Sequence, residues 1–174
     1  CIINRFIVWR YSLSYFKCVH EKRIKKINMK KLIKSILIFF DDSIFRFWVK
    51  AAYPQYKRQR TGYVYHFEVI RRYFFMQKII GFNRHIPWPV DFRSKILGPE
   101  HINKGIMCDP GDNIGIYINA YGGLKLGNNV NIGQNTTITT TNHNIYDHRK
   151  IGSKKGIVIG DNVWIGANCC IVAG

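Results

Sequence analysis

The sequence predicts an all-β solenoid, a stack of short parallel strands wound into coils and preceded by a basic helical and irregular extension. Three observations predict it. From Ile96 onward a six-residue beat runs through Ile96, Ile102, Cys108, Ile114, Ala120, Leu126, Ile132 and Ile138, and resumes at Ile159, Ile165 and Ile171. Thirteen of the fifteen glycines follow Lys95. Charge runs the other way: of the formal +17, residues 1–28 carry +6, residues 29–95 carry +10 and residues 96–174 only +1. Short fixed-period repeats of this kind mark stacked-coil architectures.

The hexads explain themselves physically. The best formed are Leu126-Gly127-Asn128-Asn129-Val130-Asn131, Ile159-Gly160-Asp161-Asn162-Val163-Trp164 and Ile165-Gly166-Ala167-Asn168-Cys169-Cys170. The leading aliphatic is expected to point inward and stack on its equivalent in the next coil. Gly and Asn are expected to take the positive φ angles that turns demand. Three hexads close a triangular coil, so residues about 18 apart are expected to share a face. A helix would need apolar spacing of three and four. A βαβ unit would need an intervening helix, which residues 96–138 lack.

The extension has two parts. Residues 1–28 have no clean period, and Met29-Lys30-Lys31 reads as a natural start, so they are expected to be upstream readthrough or a disordered extension. Residues 29–95 form a basic helical lead-in to the coil domain of residues 96–174. A helix is predicted over residues 30–47, with apolar positions at Ile33, Ile36, Leu37, Phe40, Ile44, Phe45 and Phe47. Its basic flank and apolar body suit peripheral contact with an anionic membrane. The alternative is a helix packed on its own domain or on a neighbouring subunit.

Composition excludes several classes. With 47 % hydrophobic and 14 % aromatic residues, the chain is not wholly disordered. The longest apolar run, residues 36–40, stops at Asp41, far short of the about 20 residues a membrane span needs. Five scattered cysteines without a secretory leader argue against a disulfide framework and for a reducing, cytoplasmic setting. The basic total points toward nucleic acid. The near-neutral coil segment weakens that expectation, because the part that reads as ordered carries almost no net charge, and no nucleic-acid partner is expected.

The beat fails after Ile138-Thr139-Thr140-Thr141-Asn142-His143, and a loop over residues 144–156 is expected to leave the coil there. Loops on rigid scaffolds often carry function. The segment 124–174, above all Ile159-Gly160-Asp161-Asn162-Val163-Trp164-Ile165-Gly166, resembles the hexapeptide-repeat acyltransferases. The branch is that of maltose, galactoside and nodulation-factor acetyltransferases and polysaccharide O-acetyltransferases. The stretch Asn83-Arg84-His85-Ile86-Pro87-Trp88-Pro89-Val90 is similar to acyltransferases of surface-polysaccharide clusters. The resemblance covers less than half of the chain.

That resemblance implies a left-handed parallel β-helix, acetyl-CoA as co-substrate with no metal, and O-acetylation of a sugar hydroxyl on a surface polysaccharide or its precursor. It implies a homotrimer with its cleft between neighbours, and further coils beyond the position of Gly174. His143, at the threshold of the loop, falls where the family has its general base. Asn119 and Trp164 fall where the family lines the acceptor side, and Gly166-Ala167 where a backbone N–H meets the thioester oxygen. An imidazole suits the role, since it can take the proton of a hydroxyl that is otherwise a poor nucleophile.

Each site residue has a plainer reading. His143 is alternatively a surface-loop histidine, and Asn119 a turn residue on an outer corner. Trp164, pointing outward, calls for a partner that is either substrate or the adjacent subunit. Asp147 either orients a histidine or is a solvated loop charge. Lys150, Lys154 and Lys155 either meet coenzyme phosphates or face solvent. Two rival functions remain. One is a zinc enzyme like the carbonic anhydrases of the same fold, using His143 and His148, for which His101 falls off the coil period as a third ligand. The other is an inactive, truncated coil serving as an assembly or interaction module.

Overall fold

The computed structural model describes residues 29–57 and 65–174, so the expectation for residues 1–28 lies outside them. The chain forms two compact units, Cys1–Ser43 and Ile44–Gly174. In the first, residues 29–40 are helical (α1). No helix among the described residues is long and apolar enough to cross a membrane.

The second unit begins with α2 (Arg46–Ala52) and α3 (His66–Val69), which continues as a π-helical stretch, Ile70–Ile80. Val49, Tyr53 and Val69 bury one another. Gln77 is fully buried. Its amide donates to the Trp88 carbonyl at 3.0 Å, and its Oε1 accepts the Val90 N–H at 3.0 Å. One side-chain amide thereby satisfies backbone groups that enter the core without strand partners. Ile86, Trp88 and Val90 share a single apolar cluster with Ile96 and Ile102. The packed core of the coil thus starts at Ile86, ahead of the boundary that the hexad beat places at Ile96.

The strands are short: β1 (Lys95–Leu97), β2 (Ile102–Lys104), β3 (Tyr117–Asn119), β4 (Leu124–Leu126), β5 (Asn131–Ile132), β6 (Thr137–Thr139), β7 (Thr141–His143), β8 (Ile151–Lys154), β9 (Ile157–Ile159), β10 (Trp164–Ile165) and β11 (Cys170–Val172). They form three parallel sheets, β1-β3-β6-β11, β2-β4-β9 and β5-β10, and one antiparallel pair, β7-β8. The chain returns to the first sheet after each circuit, passing through the second sheet alone in the first circuit and through the second and third sheets in the two that follow. Ile96, Ile118, Ile138 and Ile171 lie in register in the first sheet. Leu126, Ile132 and Ile138 face inward, at 2 %, 2 % and 0 % exposure.

Three features of the hexad expectation need correction. The first is coil length. In-register residues of the first sheet are 22, 20 and 33 apart, never 18. In the first circuit two of the extra residues lie between Lys104 and Ile118, which are 14 apart where Leu126 and Ile138 are 12 apart; the remaining extra residues of all three circuits gather at the corner between the first and second sheets. There the successive circuits carry the 3-10 turn Pro99–His101, the turn at Tyr121-Gly122-Gly123, and the β7-β8 hairpin. Two added residues do not change which way later side chains face, because strand side chains alternate with period two. From Ala120 to Ile138 the beat therefore falls on buried positions although the coils are longer than three hexads.

The second is Ile114, which is 41 % exposed; Ile116 and Ile118 take the inward positions at 1 % and 0 %. The third concerns glycine. Asn129, Asn135, Asn162 and Asn168 do adopt positive φ, but Gly127, Gly133, Gly160 and Gly166 do not. A Cβ on Gly133 would sit 2.5 Å from the Ala167 backbone nitrogen, and one on Gly127 2.6 Å from the Gly160 carbonyl carbon. Glycine at these positions serves the close approach of the next coil's backbone.

Asparagine side chains run between the coils as well. The Asn129 amide donates to Asn162 Oδ1 at 3.0 Å, and the Asn113 amide to the Ile132 carbonyl at 2.6 Å. Below Asn129, at the offset of 22 that pairs Lys104 with Leu126, the left-handed position is held by Met107 at φ +56°. A left-handed conformation costs an ordinary L-residue about 1–2 kcal/mol, and asparagine much less. Met107→Asn is expected to stabilise the protein by about 1 kcal/mol, read as a raised midpoint in urea unfolding.

Candidate functional site

The widened corner builds the site. In the second circuit, Thr140 Oγ1 donates to the Asn119 carbonyl at 2.9 Å and accepts the Gly122 N–H at 2.7 Å. This fully buried threonine fixes the turn after β3 to the strand from which the hairpin departs. The hairpin strands then separate from the coil. Lys155 N–H bonds the Thr140 carbonyl at 3.0 Å and closes the hairpin's base. His143 is in register with Ile151, with an irregularity between Thr141 and His143. A Cβ on Gly152 would meet the His143 carbonyl oxygen at 2.6 Å, so glycine is required for β8 to lie this close to the histidine.

The excursion is therefore an ordered hairpin over β7 and β8 rather than an open loop over residues 144–156. At its tip Asn144 Oδ1 accepts the Tyr146 and Asp147 amides at 2.8 and 3.2 Å. Asp147 is held by the Arg149 guanidinium at 3.0 Å, which keeps its carboxyl below the usual carboxylate range. Its partner is a cation beside it in the tip, so the solvated-charge reading fits it better than the orientation of His143. At the other end, the Asn142 amide donates to the Ala173 carbonyl at 2.7 Å and anchors the hairpin to the last circuit.

Between hairpin and coil lies a crevice of about 380 Å³ lined by Asn119, Tyr121, Thr141, Asn142, His143, Ile151 and Lys154. His143 is exposed into it. Asn119, far away in sequence, lines the same crevice, and its Oδ1 accepts the Tyr121 N–H at 3.4 Å. Tyr121 packs edge-on against His101 with ring centroids 6.1 Å apart. The crevice offers one imidazole, one lysine, two primary amides, two hydroxyl groups and one aliphatic wall. No carboxylate lines it.

Of the residues singled out from the sequence, His143 and Asn119 come together. Trp164, Gly166 and Ala167 are not among the residues lining this crevice. Trp164 is 80 % exposed on β10, above Asn131 of β5. The Gly166 carbonyl accepts Thr136 Oγ1 at 3.0 Å, and Ala167 is exposed. Sequence reasoning missed Thr141, Asn142 and Ile151 and left Tyr121 to packing. The signal was present in the frame: Asn119 and Tyr121 lie on one side of a two-residue slip, and Thr141 and His143 on one side of a strand. Among the described residues, no cluster of three metal-ligating side chains includes His143.

No family model, curated protein or solved structure matches this chain.

Proposed function

We propose that this protein is an acetyl-CoA-dependent O-acetyltransferase acting on a sugar hydroxyl of a surface polysaccharide or its precursor. The proposed framework is a left-handed parallel β-helix assembled as a homotrimer. The single observation that carries the reading is the meeting of His143 and Asn119 in one crevice beside the hairpin. The family resemblance assigns these two residues to base and acceptor side.

The chemistry follows from the groups present. The acceptor hydroxyl lies against the His143 imidazole, and Asn119 holds a neighbouring sugar hydroxyl. As the hydroxyl oxygen attacks the thioester carbonyl, its proton passes to the imidazole. The tetrahedral oxyanion collapses, the C–S bond breaks, and the leaving thiolate takes the proton back from the imidazolium. No covalent enzyme intermediate forms. Trp164, Gly166 and Ala167 enter as the contribution of a neighbouring subunit, the Ala167 region supplying a backbone N–H to the oxyanion. This assignment explains an exposed indole outside the crevice of its own chain.

The test uses the full chain with acetyl-CoA and a panel of neutral and acidic oligosaccharides, following release of the free coenzyme thiol and mass gain on the sugar. Acetylated product from at least one sugar is the expected result. A folded protein that neither binds acetyl-CoA nor acetylates any of the panel overturns the reading.

A further inference from the structure

Helix α1 carries a surface that the acetyl-transfer reading does not use. Leu32, Ile33, Ile36, Leu37, Phe39 and Phe40 are 47–67 % exposed, although together they are large enough to form a small core. At 3.6 residues per turn these six side chains fill an arc of about 160°. Lys30, Lys31 and Lys34 occupy the opposite side within an arc of about 100°. Ile38 is the one apolar residue on that basic side, and it is half-buried. Residues 29–40 contain no acid.

Two physical arguments select the occupant. The apolar arc is wider than the narrow seam by which one helix packs on another, and it matches immersion of a whole helix face in a continuous apolar medium. The flanking charge is of one sign, continuing the +10 of residues 29–95, which complements anionic headgroups. The uninterrupted apolar run ends at Asp41, so the helix lies along the surface rather than crossing it.

We propose that α1 is an interfacial anchor that lays Leu32, Ile33, Ile36, Leu37, Phe39 and Phe40 into the outer acyl layer of an anionic bilayer, with Lys30, Lys31 and Lys34 among the phosphates. This inference does not depend on the acetyl-transfer reading. It would hold the protein beside lipid-linked substrates whatever reaction the crevice performs.

The experiment is flotation of the full chain with vesicles of equimolar phosphatidylcholine and phosphatidylglycerol, and with phosphatidylcholine alone. The protein is expected to float with the anionic vesicles and to be released by salt. Ile36→Asp with Phe40→Asp abolishes flotation. Lys30→Gln, Lys31→Gln and Lys34→Gln together lower partitioning about a hundredfold, since each lysine near such a surface contributes about fivefold. All five substituted side chains are exposed, and an unchanged far-ultraviolet dichroism spectrum confirms that each variant is folded. Failure to float with anionic vesicles overturns the proposal, as does flotation unaffected by both sets of substitutions. Lipid-free self-association that the aspartate pair abolishes, without flotation of the parent, instead makes the face a contact between copies and also overturns it.

Discussion

His143→Ala is expected to lower the rate of acetyl transfer by about 10²–10⁴-fold, the usual contribution of a positioned general base. The proposed role as general base puts the loss on kcat, with KM for both substrates nearly unchanged, because such a base acts on the proton in flight. The side chain is exposed at the crevice and its strand is held by main-chain bonds. Its removal should therefore shift unfolding stability by no more than about 0.5 kcal/mol. Steady-state kinetics alongside a urea melt separate the two effects. A variant that retains parental kcat sinks the role of His143, and one that loses activity only through unfolding removes the evidence for it. Asn119→Ala provides the contrast: a residue that holds the acceptor should raise KM for the sugar more than it lowers kcat.

The second large effect concerns stability. Lys104 stands in register with Leu126 and, through it, Ile159, so a lysine occupies an inward-facing rung. Its side chain is 4 % exposed and that of Asp109 is 1 %. The ammonium donates to Asp109 Oδ1 at 3.0 Å and to the Cys108 carbonyl at 2.9 Å, and lies 5.7 Å from the centre of the Trp88 ring. Asp109→Ala leaves that ammonium buried without its counter-ion and is expected to destabilise the protein by about 3–5 kcal/mol. Lys104→Leu combined with Asp109→Ala restores the aliphatic rung used by the later coils, and should recover most of that loss. Two urea melts check the pair. If the double variant is no more stable than Asp109→Ala alone, the ion pair is not the cause.

Part of this architecture was legible because burial in strands has a simple sequence image. Leu126, Ile132, Ile138 and Ile165 carry the beat and are buried. Trp88, read as a packing residue, is buried with its indole N–H on the Pro110 carbonyl at 2.9 Å. Coil length was not legible. Insertions of two residues preserve the facing of later side chains, so with two such insertions in the first circuit Ile96 stacks on Ile118 while the beat points to Ile114. The role of the second-position glycines was hidden for a related reason: φ preference is local, whereas contact between the Gly133 and Ala167 backbones joins residues 34 apart in sequence.

The sequence by itself determined the inward aliphatics, the asparagine corners at positive φ and the point at which the beat fails, with His143 at its edge. These are local properties, written in side-chain period and backbone preference. Only the tertiary structure decided that Asn119, Tyr121 and Lys154 join His143 in one crevice, and that Asp109 answers a lysine inside the coil. Each of these depends on how many residues complete a circuit, and that number is fixed by corner hydrogen bonds and backbone contacts between segments remote in sequence.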